Sequence, residues 1–349
     1  MGDNGTKSGE GGKKIAEGAE KTALWKTALR SEKTGLIAAF VLVVAVFSVL
    51  TNGLFISTNN IINILISSAI VGMVVIGECY LLITAQVDLS PGSVAAFSGV
   101  LVALLLKNGV PLPFAVIIVV AIGLAGGFVN SALVNYLRLE PFIATLATMS
   151  VFRGLAFIIC GGKAVFVTHK IFLKLGAGRV FAMSAGSYDF PGIPIPVIIF
   201  LVSFVIFTVI LDRTRFGRNV YMVGGNSTAA RLAGINANIV RMKIYMMTSA
   251  FAALGGIIQA GRMSSGQPST SEGLEFDAVT AVVLGGVAMF GGVGTLSGAL
   301  IGLFIMQGFN NGLMMLNVPS FWQTVSRGLL LIAALSFDYV RNRKRKTAS

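Results

Sequence analysis

The stretch Arg213–Lys243, RTRFGRNVYMVGGNSTAARLAGINANIVRMK, carries six cations and no acid, and it lies between two apolar runs. Connections between packed helices commonly take about 2–8 residues. This one is far longer, with a Gly-Gly-Asn turn at 224–226 and an Ala-rich segment long enough for one or two helical turns. Its length, charge and local order mark it as something a soluble partner holds. Its cations also fix the side of a membrane on which it stands, and the topology follows from it.

Around this loop the chain is apolar. It has 349 residues, 55% hydrophobic and 12% charged, with a mean hydropathy of +0.83; soluble chains carry about 25% charged residues. From Leu36 onward, apolar runs near the length of a bilayer-spanning helix recur. The roughly ten-residue alternating segments of a membrane barrel are missing. The fold class is therefore an all-α polytopic membrane protein.

The net charge of +13 does not indicate nucleic acid, because of where the cations sit. Seven Lys/Arg lie in residues 1–33, six in 213–243 and five in 341–346, which is 18 of 27. Clusters flanking apolar helices are the positive-inside signature. All three are placed in the cytoplasm, with attraction to anionic membrane lipid as a secondary effect.

Read in order, residues 1–34 form a cytoplasmic tail ending in EKTALWKTALR. Trp25 and Leu29 could lie along the interface, or the tail could be plainly disordered; no signal-peptide pattern is present. Ten helices are expected, at about 35–49, 61–84, 92–106, 114–137, 141–160, 197–211, 240–261, 277–290, 295–316 and 321–340. The break near Asp88–Pro91 follows from Pro91, which lacks an N–H and disfavours a helical residue before it. Residues 51–60, 161–196 and 262–276 fall outside, and RLEP and 213–240 inside. The transmembrane domain is 35–340, and 341–349 is a basic cytoplasmic tail. Ten helices with both termini cytoplasmic put every basic cluster inside. The third and eighth helices are weak spans, either of which could be broken or re-entrant, a state tolerated only against protein or a water-filled cavity.

Glycine makes up 42 of 349 residues, about 12% against roughly 7% on average. Pairs such as Gly255–Gly256, Gly285–Gly286 and Gly291–Gly292 let membrane helices approach closely; such contacts serve packing and can also permit rocking. SPGSVAAFSG and GVGTLSGALIG hint at an internal repeat.

Catalytic chemistry is hard to place. There is no G-x-x-x-x-G-K-[ST], so the chain should not hydrolyse ATP itself. It has one histidine, His169, in an external loop, and the two cysteines, Cys79 and Cys160, fall in apolar helices. No catalytic set, metal spacing or cofactor site is expected. Charges within the apolar spans are functional candidates by default. Glu78 and Arg153 could pair structurally or line a path, and Asp88, Glu275 and Asp277 stand at helix edges. The two tryptophans, Trp25 and Trp322, leave little with which to stack a sugar ring. If the cargo is a sugar, selective capture occurs on another chain.

Taken together, VDLSPGSVAAFSG (87–99), EPFIATLATMSVFRGLAF (140–157), TRFGRNVYMVGGNSTAARLAGIN (214–236), residues 249–302 and WQTVSRGLLLIAAL (322–335) resemble the permease subunits of bacterial ABC sugar importers of the ribose/galactose/xylose type. The resemblance implies a multi-pass subunit of the bacterial inner membrane. It also implies a cytoplasmic ATP-binding subunit, a periplasmic sugar-binding protein, and a second permease copy or sister permease. It makes 214–236 the segment that docks on the ATPase, through Gly224, Gly225, Asn226, Ala229, Ala230, Arg231 and Gly234. Where the family commonly has Pro-Glu, this chain has Ser227 and Thr228. Asn226 or Ser227 can cap a short helix, Ala229 and Ala230 can present a slim face to a groove, Arg231 can reach a carboxylate, and Gly234 can end the helix.

The leading expectation is alternating-access import of a monosaccharide or polyol, along a path near Glu78, Asp88, Arg153, Asp277, Gly285 and Gly286. A stand-alone ion-coupled sugar carrier is the alternative, against which the few intramembrane acids count. A scaffold without transport activity is a third reading.

Overall fold

The computed structural model describes residues 32–185 and 188–347. Most of the amino-terminal tail, including Trp25 and Leu29, lies outside the described residues. The helices are α1 Glu32–Leu50, α2 Thr58–Ile83, α3 Pro91–Lys107, α4 Leu112–Asn135, α5 Pro141–Cys160, α6 Lys170–Ala177, α7 Ile195–Arg213, α8 Arg215–Gly225, α9 Ser227–Leu232, α10 Ala237–Met263, α11 Leu274–Leu284, α12 Leu296–Met315 and α13 Ser320–Thr347. Five of them, α2, α4, α5, α7 and α10, are long and apolar enough to cross a membrane; α1 and α3 are shorter apolar helices.

The centre of the bundle is α10, which packs on α2, α3 and α4, while α2 is also covered by α7, α11 and α12. Both α2 and α10 are largely buried, whereas α4, α5 and α7 leave most of their surface exposed. That contrast separates the core helices from those at the rim of the bundle. Small residues set the spacing: any side chain at Gly256 of α10 would overlap the Ala95 carbonyl of α3. Such contacts let backbones approach without a hydrophobic driving force between helices.

Two helical runs are interrupted inside the bundle. α2 ends at Ile83, Ala85 turns with φ +55°, and α3 starts at Pro91, the position at which a missing N–H costs nothing. The expected eighth helix stops at Leu284 rather than Phe290. Residues Gly286, Gly291, Gly292 and Gly294 all have positive φ, so the chain leaves the helical region and re-enters it at α12, where the Thr295 side chain accepts from Gly298 N. Each interruption leads into one of the two similar segments seen in the sequence, at 90–99 and 292–302.

The long connection 161–196 is more ordered than expected. Strands β1 Val165–Phe166 and β6 Ser265–Gly266 pair antiparallel, with Val165 opposite Gly266. β2 Arg179–Val180 pairs with β5 Ile193–Pro194, and β3 Met183–Ala185 with β4 Tyr188–Phe190. Between them α6 packs on α10. His169 is a cap, its Nδ1 accepting from Phe172 N at 3.3 Å. Cys79 is buried in the core, as expected of a small apolar residue, while Cys160 is half-buried and both thiols are free. The basic run at 341–346, expected as a separate tail, continues α13.

Candidate functional site

The 213–243 segment forms two helices joined at Asn226. The Thr214 side chain caps α8 by accepting from Gly217 N. Asn226 Oδ1 caps α9 by accepting from Ala229 N at 2.9 Å. α9 ends as Gly234 adopts φ +81°: Gly234 N donates to Arg231 O at 3.0 Å and Ile235 N to Ala230 O at 2.9 Å. This paired closure satisfies two terminal carbonyls and requires a left-handed residue. Asn226 and Gly234 thus hold the positions read for them in the sequence.

Ala230 does not. It is fully buried against the bundle, because Val223, Ala230 and Val240 turn inward on successive elements. The outward face holds Ala229, Arg231 and, unforeseen, Leu232 at 84% exposure. Leu232 is the large apolar side chain of this short capped helix, and it faces away from the bundle. A cavity of about 550 Å³ beside it is lined by Ser227, Thr228, Arg231, Asn236 and Arg241.

α8 is fastened to both interruptions. A Cβ at Gly224 would overlap the Ile83 carbonyl and stand 2.8 Å from Gly292 N. Gly292 N itself donates to Ile83 O at 2.8 Å. Tyr221 Oη donates to Gly294 O at 2.8 Å. Burial pushes the Tyr221 hydroxyl up to about 12, so it keeps its proton and this donation at neutral pH. α8 therefore touches the end of α2 and the turn after α11, largely through backbone atoms.

The stretch 84–90 is held by a buried polar knot. Asp88 Oδ1 accepts from Ser90 N at 2.8 Å and Ser90 Oγ at 2.7 Å. Asn130 Nδ2 of α4 donates to Ser90 Oγ at 2.9 Å and to Asp88 Oδ2 at 3.2 Å. These side chains satisfy a backbone that has left the helix, the condition for irregular chain at membrane depth. Glu78 is fully buried close by, with neither carboxylate oxygen hydrogen-bonded. Of the roles open to Glu78 and Arg153 in the sequence, a mutual pair is not formed. α5 packs on α3 and α4, and Arg153 turns to the loop before α11, donating to Pro268 O and Thr270 O at 2.7 Å each.

At the end of the bundle opposite α8 and α9, a cavity of about 520 Å³ opens between α2, α10, α11, α12 and α13. Asn60 and Asn63, Arg262, Asp277, Gln307 and Asn310, and Gln323 and Arg327 line it. Asp277 Oδ1 and Arg327 Nε lie 3.8 Å apart, an ion pair too long for a hydrogen bond, and both atoms are otherwise unpartnered, as is Asn310 Oδ1. Arg262 Nη1 donates to Ser67 Oγ at 3.1 Å, and Glu272 lines a connected recess of about 190 Å³. The cavity thus offers donors and acceptors, two guanidiniums against the one carboxylate of Asp277, with Glu272 in the neighbouring recess, and no aromatic ring among its lining residues.

Of the six path residues proposed from sequence, Asp277 alone lines this cavity. Glu78 and Asp88 are sealed in the core, Arg153 braces a loop, and Gly285 and Gly286 end α11, with Gly285 against the Gly298 backbone. The sequence reading passed over Arg262, Arg327 and the amides. Their signal was polar residues at helical spacing in apolar runs, Asn60/Asn63/Ser67, Gln307/Asn310/Asn311 and Gln323/Arg327, each set on one face.

The profile of the family described as "Branched-chain amino acid transport system / permease component" matches residues 60–335. The chain is 39% identical to the ribose import permease protein RbsC of Bacillus subtilis, over 88% of this chain and 92% of that protein. It is 37% identical to the L-arabinose ABC transporter permease protein AraH of Azospirillum brasilense, over 90% of each. With the D-allose transport system permease protein AlsC of Escherichia coli it shares 34%, over 89% and 93%. No solved structure matches the chain.

Proposed function

The chain belongs to the permease-component family of ABC importers that includes these sugar permeases, a multi-pass protein of the inner membrane, and from that premise we propose how it transports. It is the membrane subunit of an ATP-driven importer of a monosaccharide or related polyol. The basic segment faces the cytoplasm, both termini lie on that side, and ten helices, α11 among them as a short one, form one permease half. A second copy or a sister permease supplies the other half. A cytoplasmic ATP-binding subunit hydrolyses ATP, a periplasmic binding protein delivers the cargo, and this chain needs no cofactor.

The carrying observation is the fastening of α8 and α9 to the two interrupted runs through Gly224, Ile83 and Gly292. The partner ATPase grips the outward face of α9, with Leu232 as its apolar anchor and Arg231 as its charged one. ATP-driven approach of the ATPase subunits moves α8. Because α8 touches the end of α2 and the turn after α11, the movement opens or closes the bundle between them, and access alternates. The polar cavity on the far side is the periplasmic vestibule. Its amide-rich lining suits an uncharged polyhydroxyl solute, whose hydroxyls can bridge the long Asp277–Arg327 pair and meet Asn310 Oδ1. A buried polar group left unmet costs about 1–3 kcal/mol, so these groups favour a hydrated or hydroxylated occupant. With no ring to stack on, the solute is held weakly and passes on.

Reconstitution tests this reading. Proteoliposomes holding this chain, its ATPase and the binding protein should take up sugar only with ATP. Equal uptake without the ATPase, driven by a proton or sodium gradient, would overturn it.

A further inference from the structure

We infer that the chain holds one anionic phospholipid of the cytoplasmic leaflet in a groove between α7 and α10, its acyl chain in the groove and its headgroup on Lys243. The side assignment rests on the transport reading above; the groove itself does not.

The groove has a volume of about 580 Å³ and apolar walls from α4, α7, α8 and α10. Lys243 lies near the start of α10 and Leu254 farther along it, and both line the groove together with Leu124 of α4 and Phe216 of α8. Lys243 and Leu254 are eleven residues apart on one helix, about 16 Å at 1.5 Å per residue. That is close to half of a hydrocarbon core of about 30 Å, the depth of one leaflet. The floor is rigid: Phe251 meets Phe207 edge to face at 4.9 Å, and Phe216 stacks on Tyr80 at 6.2 Å. Met246 and Met247 line the side, and their unbranched thioethers can follow a bent chain.

Charge selects the headgroup. Lys243 is exposed, and the ion pair of Arg327 with Asp277 lies away from it. The surrounding segment 213–243 contributes five further cations and no acid. A cation near an anionic surface contributes about 1 kcal/mol. Because Phe216 belongs to α8, the lipid touches the element that couples to the ATPase and supports it from the membrane side.

Native mass spectrometry of the full-length chain, from micelles with equal phosphatidylglycerol and phosphatidylcholine, tests the site without any transport measurement. The chain should retain one phosphatidylglycerol in preference to phosphatidylcholine. Lys243→Gln should lower that preference about fivefold, the factor matching one surface cation. Leu254→Trp, plugging the groove, should lower retention of both lipids. Equal retention of the two lipids by the native chain would overturn the site, as would an unchanged preference in Lys243→Gln. Disulfide cross-linking of two chains through Leu124→Cys would also overturn it, since a second copy would then fill the groove. Transport that failed to need ATP alongside a retained lipid would remove only the transport reading.

Discussion

Replacing Gly224 by alanine adds one methyl group at the junction between α8 and the two interrupted runs. The new Cβ would overlap the Ile83 carbonyl and lie 2.8 Å from both Ile83 C and Gly292 N. All of these are backbone atoms and cannot swing aside. Either the 2.8 Å bond from Gly292 N to Ile83 O opens, or α8 lifts from the bundle. Overpacking of this kind costs about 1–3 kcal/mol, and a buried donor left unmet costs about 1–3 more. A central value of roughly 3 kcal/mol corresponds to about a hundredfold change in the seated population of α8, at tenfold per 1.4 kcal/mol. Gly225 is the internal control, because a Cβ there meets only Gly292 Cα, at 4.0 Å. The assay is ATP-driven uptake in proteoliposomes, with insertion and ATPase association measured in parallel. Gly224→Ala should cut uptake at least tenfold while the chain inserts normally, and Gly225→Ala should stay within about twofold. Undiminished uptake in Gly224→Ala, or equal loss in both variants, would refute the mechanical role of the junction.

Other consequences can be checked separately. Leu232→Asp should weaken pull-down of the ATPase while leaving the thermal midpoint of the solubilised chain unchanged; Ala230→Arg, at a fully buried position, should lower that midpoint instead. Asp88→Leu strands the Ser90 N–H and the Ser90 hydroxyl, while Asn130 keeps its bond to Ser90 Oγ, a loss on the order of 2–6 kcal/mol, seen as thermal destabilisation that Asp88→Asn shows to a smaller degree. Asp277→Asn and Arg327→Gln should each reduce uptake severalfold, and the double variant less than the product of the two, because each single change leaves the other group without its counter-charge.

The membrane class, most helix ends and the existence of the ordered basic segment follow from local signals. Apolar run length, Pro91 and Pro141 at helix starts, and the clustering of Lys and Arg each act within a few residues. Asn226 and Gly234 were readable for the same reason, since a cap and a left-handed terminator bond within one turn. The early end of α11 was less legible: Val287, Ala288, Met289 and Phe290 are apolar enough to prolong a helix, and the turn is set by four positive-φ glycines, of which Gly291 and Gly292 sit against α8. The direction each intramembrane charge faces was not legible at all. Glu78 and Arg153 each sit within an apolar helix, and nothing local says that one is sealed in the core and the other braces a distant loop. Ala230 looked like surface because its neighbours are polar, yet the tilt of α9 against the bundle buries it and exposes Leu232. The sequence by itself determined that Arg213–Lys243 is a long basic element set between two apolar runs. Only the tertiary structure decided that Gly224 presses on Ile83 and Gly292, because that contact joins residues far apart in the chain through backbone atoms that carry no sequence signature.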